Sequence, residues 1–443
     1  MSDQLLIIGH FFLQFKHTLL SDLSAVALFL PMFLIFDVPL SLMVLLGIGR
    51  WFWRKHHERE KPYYRPVVTC GITCYSEGED IKKTILTLCE QLYSGHIEII
   101  AVVDGASVNT HTYQAALECR DIVARYPRRN LIILPKWQRG GRVSSSNAAL
   151  RIARGELFFA LDADTSFDND MVGQVVKEFT DPDVPAVGGA LRVRNDKASL
   201  VSRMQAMEYM ISLHGAKTGL AEWNIINSIS GAFGAFRTRF VRQIGGWDTH
   251  SGEDLDMTLR IKQYMARHPG LRIPFATHAM GYTDVPVTFK SLFMQRIRWD
   301  GDLYFLYLRK HKQGLSPRLL GWKNYISTVL YGVVQNILLP YLVVLYTVWV
   351  FINYPAPVVV AGFAIQYLCY LFLTVLHFLV FLLAVSERPD KDIHYLKWLP
   401  FYPLYGFVMR IINAVAVFNE QIRRSHEESN MAPWWVLKRG KRF

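Results

Sequence analysis

The sequence contains few cysteines and no pattern that would pair them. Five occur in 443 residues, and the two closest, Cys70 and Cys74, lie in the strand-like run VVTCGITCYSEG with no second pair downstream. Zinc sites built from cysteines need such paired spacing, and disulfide frameworks need an even set of them. The sequence therefore predicts reduced thiols, as in a cytosolic domain, and neither a paired-cysteine zinc site nor a disulfide framework.

The sequence also lacks a continuous basic stripe, although its formal net charge is +12, from 49 Lys and Arg against 37 Asp and Glu residues. Much of the excess positive charge lies beside long apolar stretches. A nucleic-acid-binding domain would instead gather its basic residues on one face or along one helix. The charge therefore indicates membrane topology, so a lipid bilayer is the expected partner and nucleic acid is not.

Long apolar runs are present, and 51% of all residues are hydrophobic. Residues 24–48 form the first run, in which only Asp37 is charged. At about 1.5 Å per residue this run can cross a hydrocarbon core of about 30 Å. No small-residue cleavage site follows, which argues against a removable signal peptide. The basic and aromatic run RWFWRKHHEREK after it places residue 50 onward in the cytosol.

The other apolar stretches set the predicted domain boundaries. Residues 4–20 are interpreted as interfacial, with a second span as the alternative, and residues 324–352 and 358–385 as two spans. Residues 398–418 contain two prolines and Arg410 and precede a basic tail, so we expect a re-entrant or interfacial segment there. The predicted domains are residues 1–50 (N-terminal interfacial and transmembrane helices), 51–288 (cytosolic domain), 289–323 (amphipathic interfacial helices), 324–418 (C-terminal membrane region) and 419–443 (basic cytosolic tail).

Between the apolar stretches, strand-like runs alternate with helix-like patterns. The strand-like runs include VVTCGIT, IEIIAVV, NLIIL and ELFFALD. Such alternation predicts βαβ units and a mostly parallel sheet. Ligands bind these sheets at the carboxyl ends of the strands. Asp104 follows IIAVV, and Asp162 and Asp164 follow LFFA, so all three are expected at that edge.

The Asp-Ala-Asp sequence at residues 162–164 has two interpretations. Alternate carboxylates at a turn can direct oxygens to one divalent cation and leave positions open for substrate phosphates. Short acidic strings are also common as solvated turns or caps. Other motifs have to decide between a cation site and a turn.

Three further motifs follow in order: SGAFGAFR at residues 230–237, GGWDTHSGED at 245–254 and QRIRW at 295–299. Together with DADT they make the sequence resemble the family-2 glycosyltransferases, specifically the membrane-embedded synthases of hyaluronan, cellulose, chitin oligosaccharides and poly-N-acetylglucosamine. The resemblance covers nearly the whole chain. It implies an α/β cytosolic domain of the GT-A type, with a Rossmann-like mixed sheet, combined with transmembrane and interfacial α-helices.

The resemblance implies roles for four acidic residues on the donor side. Asp104 would contact the nucleotide base, and Asp162 the ribose or the donor sugar. Asp164 would bind Mg²⁺ or Mn²⁺ at the diphosphate. Glu77 stands where relatives commonly have an Asn-Glu pair, and it is a candidate nucleotide contact. For Asp104 the alternative is a helix cap, because Asp is a preferred capping residue.

Cationic and amide side chains complete the implied donor site. Arg298 would hold the pyrophosphate, with Gln295 of the same motif beside it. Relatives often carry a lysine after the third strand, and Arg139 or Arg142 is the candidate cation there. A guanidinium fork suits the charge that develops on a leaving diphosphate. For Arg298 the alternative is contact with a lipid headgroup from an amphipathic interfacial helix.

On the acceptor side, Asp254 would be the general base that takes the proton of the acceptor hydroxyl, with Glu253 beside it. Trp299 would pack under the acceptor sugar, and Ser230 and Gly231 would lie near it. The alternatives remain open: Glu253 and Asp254 as acids that a helix dipole favours, and Trp299 as a membrane-interface anchor.

These roles imply an inverting glycosyltransferase of the plasma (inner) membrane that polymerises a UDP-sugar into a β-linked extracellular polysaccharide. The growing polysaccharide would be the acceptor, and the membrane helices would translocate it, with an accessory secretion subunit as a further expected partner. One alternative is transfer of a single sugar to a membrane lipid. Another, from a different class, is a non-enzymatic membrane channel or receptor that binds a nucleotide-sugar.

Overall fold

A computed structural model describes residue 13 and residues 30–58 and 64–428. The predicted interfacial segment at residues 4–20 lies outside the described residues apart from residue 13. Residues 429–443 of the predicted basic tail also lie outside the described residues.

One mixed sheet forms the centre of the α/β domain. Its strands are β1 (Val68–Cys74), β2 (Ile97–Asp104), β3 (Arg129–Lys136), β4 (Leu157–Asp162), β5 (Ser166–Phe167), β6 (Ala186–Val193), β7 (Phe233–Arg237) and β8 (Phe275–Thr283). In the described residues the strand order is β3-β2-β1-β4-β7-β6-β8-β5. Strands β1 to β4 pair in parallel, whereas β7 is antiparallel to both of its neighbours. The predicted mixed α/β sheet is confirmed.

The helices lie on both faces of the sheet and beyond it. They are α1 (Val38–His57), α2 (Asp80–Cys89), α3 (Thr110–Val123), α4 (Gly141–Ile152), α5 (Met171–Glu178), α6 (Leu200–Glu208), α7 (Ala216–Glu222), α8 (Thr238–Gln243), α9 (Glu253–Met265), α10 (Phe289–Tyr304), α11 (Pro317–Ser327), α12 (Leu339–Asn353), α13 (Ala356–Val380), α14 (Pro389–Asp392) and α15 (Tyr402–Arg423). Ile81 and Val172 join the core cluster on one face of the sheet, and Leu150 and Ile261 join the cluster on the other. Covering both faces explains why β2 is buried along its whole length.

The sheet topology brings the loops that follow β1, β2 and β4 to one edge. In the parallel register, Thr73 is paired with Asp162. The antiparallel strand β7 starts at this same edge, because its first residue, Phe233, is paired with Leu161 at the end of β4. The loop before β7, which contains Ser230 and Gly231, therefore lies beside the acidic turn after β4.

Four helical segments of the described residues are long and apolar enough to cross a membrane: Phe33–His57, Pro317–Asn353, Ala356–Val385 and Pro389–Arg423. The last one includes the stretch that we expected to be re-entrant or interfacial. It forms one continuous helix, α15, from Tyr402 to Arg423, because Pro403 lies in the first turn, where a missing N–H costs no hydrogen bond. This segment is therefore a fourth candidate span by length and composition, and the expected re-entrant or interfacial placement stays a prediction.

The first membrane helix docks on α7 of the α/β domain through glycines. A Cβ on Gly47 would lie 2.3 Å from the carbonyl oxygen of Gly219, and a Cβ on Gly219 would lie 2.4 Å from that of Val44. The indole N–H of Trp223 donates to the carbonyl of Met43 at 2.9 Å. Two glycines facing each other allow this close backbone approach, which fixes the membrane helix against the domain.

Candidate active site

One cavity of about 870 Å³ lies between the edge of the sheet, α9, α10 and the membrane helices. Most of the residues proposed from the sequence line it: Arg142, Asp162, Asp164, Ser230, Gly231, Glu253, Asp254, Gln295, Arg298 and Trp299. Asp104 and Glu77 are not among the lining residues. Residues from the four motifs, together with Arg142, spread over 158 positions from 142 to 299 and thus converge on one place.

Arg142 joins the two acidic motifs. Its Nη1 lies 2.5 Å from Asp162 Oδ1, and its Nε lies 2.6 Å from Glu253 Oε1. Its Nη2 donates to the carbonyl of Gly231 at 2.6 Å. A Cβ on Gly231 would lie 3.1 Å from Glu253 Oε1, so a larger residue there would crowd the ion pair. Arg142, named from the sequence as one of two candidate cations, is the one that reaches the acidic motifs.

Asp162 and Asp164 form an acidic turn that suits a divalent cation. Burial raises the pKa of the Asp164 carboxyl, and the neighbouring Asp162 raises it further. Two carboxylates that repel each other at the end of a strand provide the oxygens that Mg²⁺ and Mn²⁺ prefer, and a cation would relieve the repulsion. In residues 30–58 and 64–428, no three His, Cys, Asp or Glu side chains converge on one point. A cation would therefore need oxygens from the substrate as well.

Asp104 is held by the protein itself. Lys136 Nζ donates to Asp104 Oδ1 at 2.6 Å, and the N–H groups of Gly140 and Gly141 donate to its two oxygens at 2.9 and 2.8 Å. Asp104 therefore satisfies the N-terminus of α4, a helix distant in sequence, and orients the loop that leads to Arg142. Its contact with a nucleotide base stays a prediction.

Glu77 lies close enough to the acidic turn to feel the charges of Asp162 and Asp164, but it does not line the cavity. Burial raises its pKa to about 7, and the charges of Asp164 and Asp162 contribute to the rise. A carboxyl whose charge is disfavoured by two other carboxylates would gain from a nearby cation or from a donor N–H. Its role as a nucleotide contact also stays a prediction.

Helix α9 presents two acids to the cavity from its first turn. The helix begins after Gly252, whose φ of 61° is left-handed and therefore suits glycine. Burial raises the pKa of Glu253, although Arg142 opposes this effect. One turn inward, Asp256 is fully buried and accepts from Arg260 at 2.8 Å and from His311 at 2.9 Å. This buried contact anchors α9 to the segment that follows α10.

Helix α10 turns one face toward the cavity. Gln295, Arg298, Trp299 and Asp302 all line it, at the i, i+3, i+4 and i+7 spacing that places side chains on one helical face. Arg296 is not among the lining residues but contacts two of them: it pairs with Glu208 at 2.8 Å, and its guanidinium lies 5.0 Å from the ring centroid of Trp299. The QRIRW motif thus delivers an amide, a guanidinium and an indole to the cavity from a single helix.

A family model described as "Glycosyltransferase like family 2" matches residues 66–301, more than half of the chain. The chain belongs to glycosyltransferase family 2. The matched region contains the whole sheet and every cavity-lining residue named above except Asp302, so most of the proposed site residues lie in the part of the chain that matches the family.

Relatives and a solved structure agree with this assignment. The glycosyltransferase is 24% identical over 431 residues to poly-beta-1,6-N-acetyl-D-glucosamine synthase of Staphylococcus epidermidis, an alignment that covers 92% of this chain and 97% of the relative. It is 28% identical over 281 residues to the synthase of the same name from Staphylococcus aureus strain COL, covering 63% and 64% of the two chains. A mannosyltransferase from Pyrobaculum calidifontis, solved with GDP-Man and Mn²⁺, has a TM-score of 0.54 at 18% identity and covers 90% of this chain and 98% of its own. That structure shows a shared fold.

Two residues of this glycosyltransferase's site were missed by the sequence analysis. Lys136 ends β3 opposite Asp104 at the end of β2, so a register of the parallel strands would have indicated the pair. Lys217 on α7 lines the cavity, where burial lowers its pKa to about 8 and Asp254 partly opposes the shift. Nothing in the local sequence distinguishes Lys217 from a solvated lysine on an amphipathic helix.

Proposed function

We propose that this glycosyltransferase polymerises sugar units from a UDP-sugar into a β-linked extracellular polysaccharide and passes the product across the membrane. One observation carries the proposal. The cavity that contains the acidic motifs continues between the membrane helices, where Ser41, Gln335, Tyr370 and Thr374 line it. An enzyme that transfers one sugar to a lipid has no need for a polar passage at that depth, because its acceptor remains in the bilayer.

The proposed reaction joins the acceptor hydroxyl to the anomeric carbon of the donor. Asp254 accepts the hydroxyl proton while the acceptor oxygen forms a bond to the anomeric carbon. The bond from this carbon to the diphosphate oxygen breaks, and UDP leaves with the electron pair. Attack on the face opposite the leaving group inverts the anomeric centre, so an α-linked donor gives a β-linked product. General-base assistance of this type contributes about 10²–10⁴-fold.

The two acids of α9 have different surroundings, which supports different roles. Glu253 is engaged by Arg142 at 2.6 Å, so it anchors the guanidinium. Asp254 Oδ1 accepts from the main-chain N–H of Leu255 at 2.8 Å, and the side chain lines the cavity. Asp254 is therefore the proposed base and Glu253 a positioning residue.

Negative charge on the leaving diphosphate needs stabilisation. Arg142 and Arg298 both line the cavity and supply planar donors that match phosphate oxygens. Asp164, with Asp162 behind it, would hold Mg²⁺ or Mn²⁺, which when bound would supply positive charge to the diphosphate. When Arg142 binds the diphosphate of the donor, its contact with Asp162 is replaced by a contact with a phosphate oxygen.

The acceptor sugar is proposed to stack on Trp299. The Arg296 guanidinium lies over the indole at 5.0 Å from the ring centroid, and Trp299 also lines the cavity. An indole surface packs against the C–H groups of a sugar ring, while its N–H can bond to a hydroxyl. The relatives' names favour N-acetylglucosamine as the polymerised sugar, and we propose UDP-N-acetylglucosamine as the first donor to test. The catalytic domain is proposed to lie in the cytosol of a plasma membrane.

The experiment is incubation of the purified full-length protein with a panel of UDP-sugars and Mg²⁺ or Mn²⁺, followed by UDP quantification and sizing of the product. We expect UDP release with one donor and a ladder or long polymer that a β-specific glycosidase digests. Asp254→Asn should abolish both, whereas Asp181→Asn, a surface carboxylate paired with Arg272, should not. A single sugar on a lipid would contradict polymerisation, and absence of UDP release with every donor would contradict transferase activity.

A further inference from the structure

Three membrane helices contribute one polar residue each to a buried cluster. Arg410 Nη2 on α15 donates to Asp37 Oδ1 at 2.6 Å, and the phenol O–H of Tyr370 on α13 donates to Asp37 Oδ2. Asp37, the last residue of the π-helical segment Phe33–Asp37 that continues into α1, is 7% exposed. The guanidinium also lies 5.5 Å from the ring centroid of Tyr370. The cluster therefore ties three candidate spans together through a carboxylate.

The cluster lies at the end of the cavity farthest from the α/β domain. On the first span, Asp37, Leu40, Ser41 and Val44 line the cavity, whereas Trp51, about 21 Å further along the helix axis, packs on His278 of β8. On α13 the lining residues are Tyr370, Leu373, Thr374 and His377, and the chain after this span reaches the domain through Glu387 and Arg192. In both helices the cluster residue is the lining residue most distant from the sheet.

The cluster is an unusual construction if its only purpose is to hold helices together. Charged side chains in membrane spans are rare and expensive, and they commonly mark the pathway of a substrate or an ion. An apolar set of similar volume would join the helices at least as well as a buried ion pair. In addition, Arg410 Nη1 is buried and has no hydrogen-bond partner among the described residues. The cluster therefore keeps one donor available for a further ligand.

Resting on the function proposed above, we propose that Asp37, Tyr370 and Arg410 form a binding site for sugar hydroxyl groups that closes the membrane end of the passage when no sugar chain occupies it. A hydroxyl both donates and accepts. A sugar hydroxyl can donate to the Asp37 carboxylate in place of the Tyr370 phenol, and it can accept from the Arg410 guanidinium in place of the carboxylate. Every buried group therefore remains hydrogen-bonded as the cluster opens. The Tyr370 ring adds a flat surface for the sugar C–H groups. A solute without this chemistry leaves the ion pair closed.

The closure is tested without any glycosyl transfer, with trimethylamine N-oxide, a small polar solute without a hydroxyl group, as the probe. Full-length protein is reconstituted into phosphatidylethanolamine–phosphatidylglycerol vesicles, and entry of the solute is followed by stopped-flow light scattering. Asp37→Ala combined with Arg410→Ala should raise the permeability to this solute several-fold above that of wild-type vesicles. A folded double variant that is as tight as wild type overturns the closure. This result would leave the proposed transferase function untouched, because UDP release is measured separately.

A control removes another ion pair that includes a residue of α15. Arg309 Nη1 lies 2.6 Å from Glu420 Oε1, and neither residue lines the cavity. Arg309→Gln combined with Glu420→Gln should leave permeability at the wild-type level. If this control leaks as much as the cluster variant, general loosening of the helices explains the result, and the proposed closure is contradicted.

The hydroxyl-binding role has its own test, which remains decisive if the double alanine variant does not fold. Tyr370→Phe keeps the ion pair and removes one hydroxyl. In vesicles that release UDP from the donor, the polymer made by the variant should be several-fold shorter than the wild-type polymer, and less of it should be protected inside the vesicles from an added glycosidase. Wild-type polymer length and protection in this variant would overturn the binding site.

Discussion

Arg142 and Asp162 form an ion pair of 2.5 Å between the first turn of α4 and the end of β4. Because the same guanidinium lies 2.6 Å from Glu253, it connects the acidic turn with the helix that carries the proposed base. Binding of a diphosphate at this place would change both contacts together.

We expect Arg142→Lys to lower kcat/KM for the donor by about 10²–10³-fold, the size of effect seen when one stabilising donor of a transition-state charge is removed. Lysine keeps the charge but cannot contact Asp162, Glu253 and Gly231 at once. UDP-release kinetics measure the effect. Arg151→Lys, exposed on the same helix, is the matched control, and an equal loss in both variants would contradict the role of Arg142.

We expect Asp164→Asn to weaken Mn²⁺ binding in the presence of UDP. Loss of a group that only orients a metal ligand costs about 10–100-fold in affinity, and loss of a ligand costs at least as much. Electron paramagnetic resonance titration of Mn²⁺ measures this without turnover. Asp170→Asn, at a carboxylate that bonds Gln174, should bind Mn²⁺ as wild type does. Unchanged affinity in the Asp164 variant would rule out this residue as a ligand.

We expect Glu77→Gln to stabilise the metal-free protein at alkaline pH. The pKa of Glu77 is raised from 4.5 to about 7, chiefly by burial, so the folded state holds a proton that the unfolded state releases. The wild-type free energy of unfolding therefore falls as pH rises from about 4.5 to about 7, and the loss persists above it. Because Glu77→Gln has no carboxyl at this position, its free energy of unfolding does not fall in this way.

Thermal midpoints in detergent, measured near pH 4.5 and near pH 8, test the Glu77 prediction. The variant should match wild type at the lower pH and exceed it at the higher one. Glu79→Gln, at a surface carboxylate paired with Lys82, should show no such gain. A variant that is less stable than wild type near pH 8 would show that Glu77 is ionised and well paired in the folded protein.

We expect Gly47→Val to lower the free energy of unfolding by about 1–3 kcal/mol, the usual effect of overpacking. The new side chain would collide with Gly219 of α7, since even a Cβ would lie 2.3 Å from its carbonyl oxygen. Gly49→Val is the control on the same helix, because a Cβ there meets nothing within 4 Å. Thermal midpoints in detergent compare them, and equal values would contradict the tight docking.

We expect Trp299→Ala to release UDP but to make little or no long polymer, because the acceptor loses its stacking surface while the donor site remains. Size-exclusion analysis of the product and UDP quantification separate the two effects. Trp322→Ala removes an exposed indole of α11 and should leave polymer length unchanged. Full-length polymer from the Trp299 variant would show that the acceptor does not stack on this residue.

The sequence predicted which residues lie at the edge of the sheet more completely than it predicted the contacts between them. Asp162 and Asp164 follow a buried strand, and such strand ends meet at one edge of a parallel sheet, so their convergence could be expected. The i, i+3, i+4 spacing of Gln295, Arg298 and Trp299 likewise follows from the helix repeat. In contrast, Arg139 and Arg142 were equivalent as candidates, since their difference depends on how the loop after β3 is held by Asp104.

Local sequence patterns could not predict which residues distant in sequence contact each other. Asp37 and Arg410 were visible in the sequence as charged residues within apolar stretches, but 373 positions separate them. A charge in a span demands a partner, yet hydropathy does not say which helix provides it. The placement of residues 398–418 is a related case. The basic tail that follows them favoured a re-entrant or interfacial segment, whereas the structure forms one continuous helix from Tyr402 to Arg423 with Pro403 in its first turn.

The sequence by itself determined the α/β class, the long apolar segments and the position of the acidic residues at strand ends, because periodicity, apolar length and strand-end chemistry are local properties of the chain. The roles of the QRIRW motif came from the resemblance to a family. Only the tertiary structure decided that Arg142 bridges two motifs, that Lys136 holds Asp104, and that the cavity reaches Asp37 and Tyr370 between the membrane helices. These contacts join residues distant in sequence, and they form only when the sheet register and the packing of the helices bring those residues together.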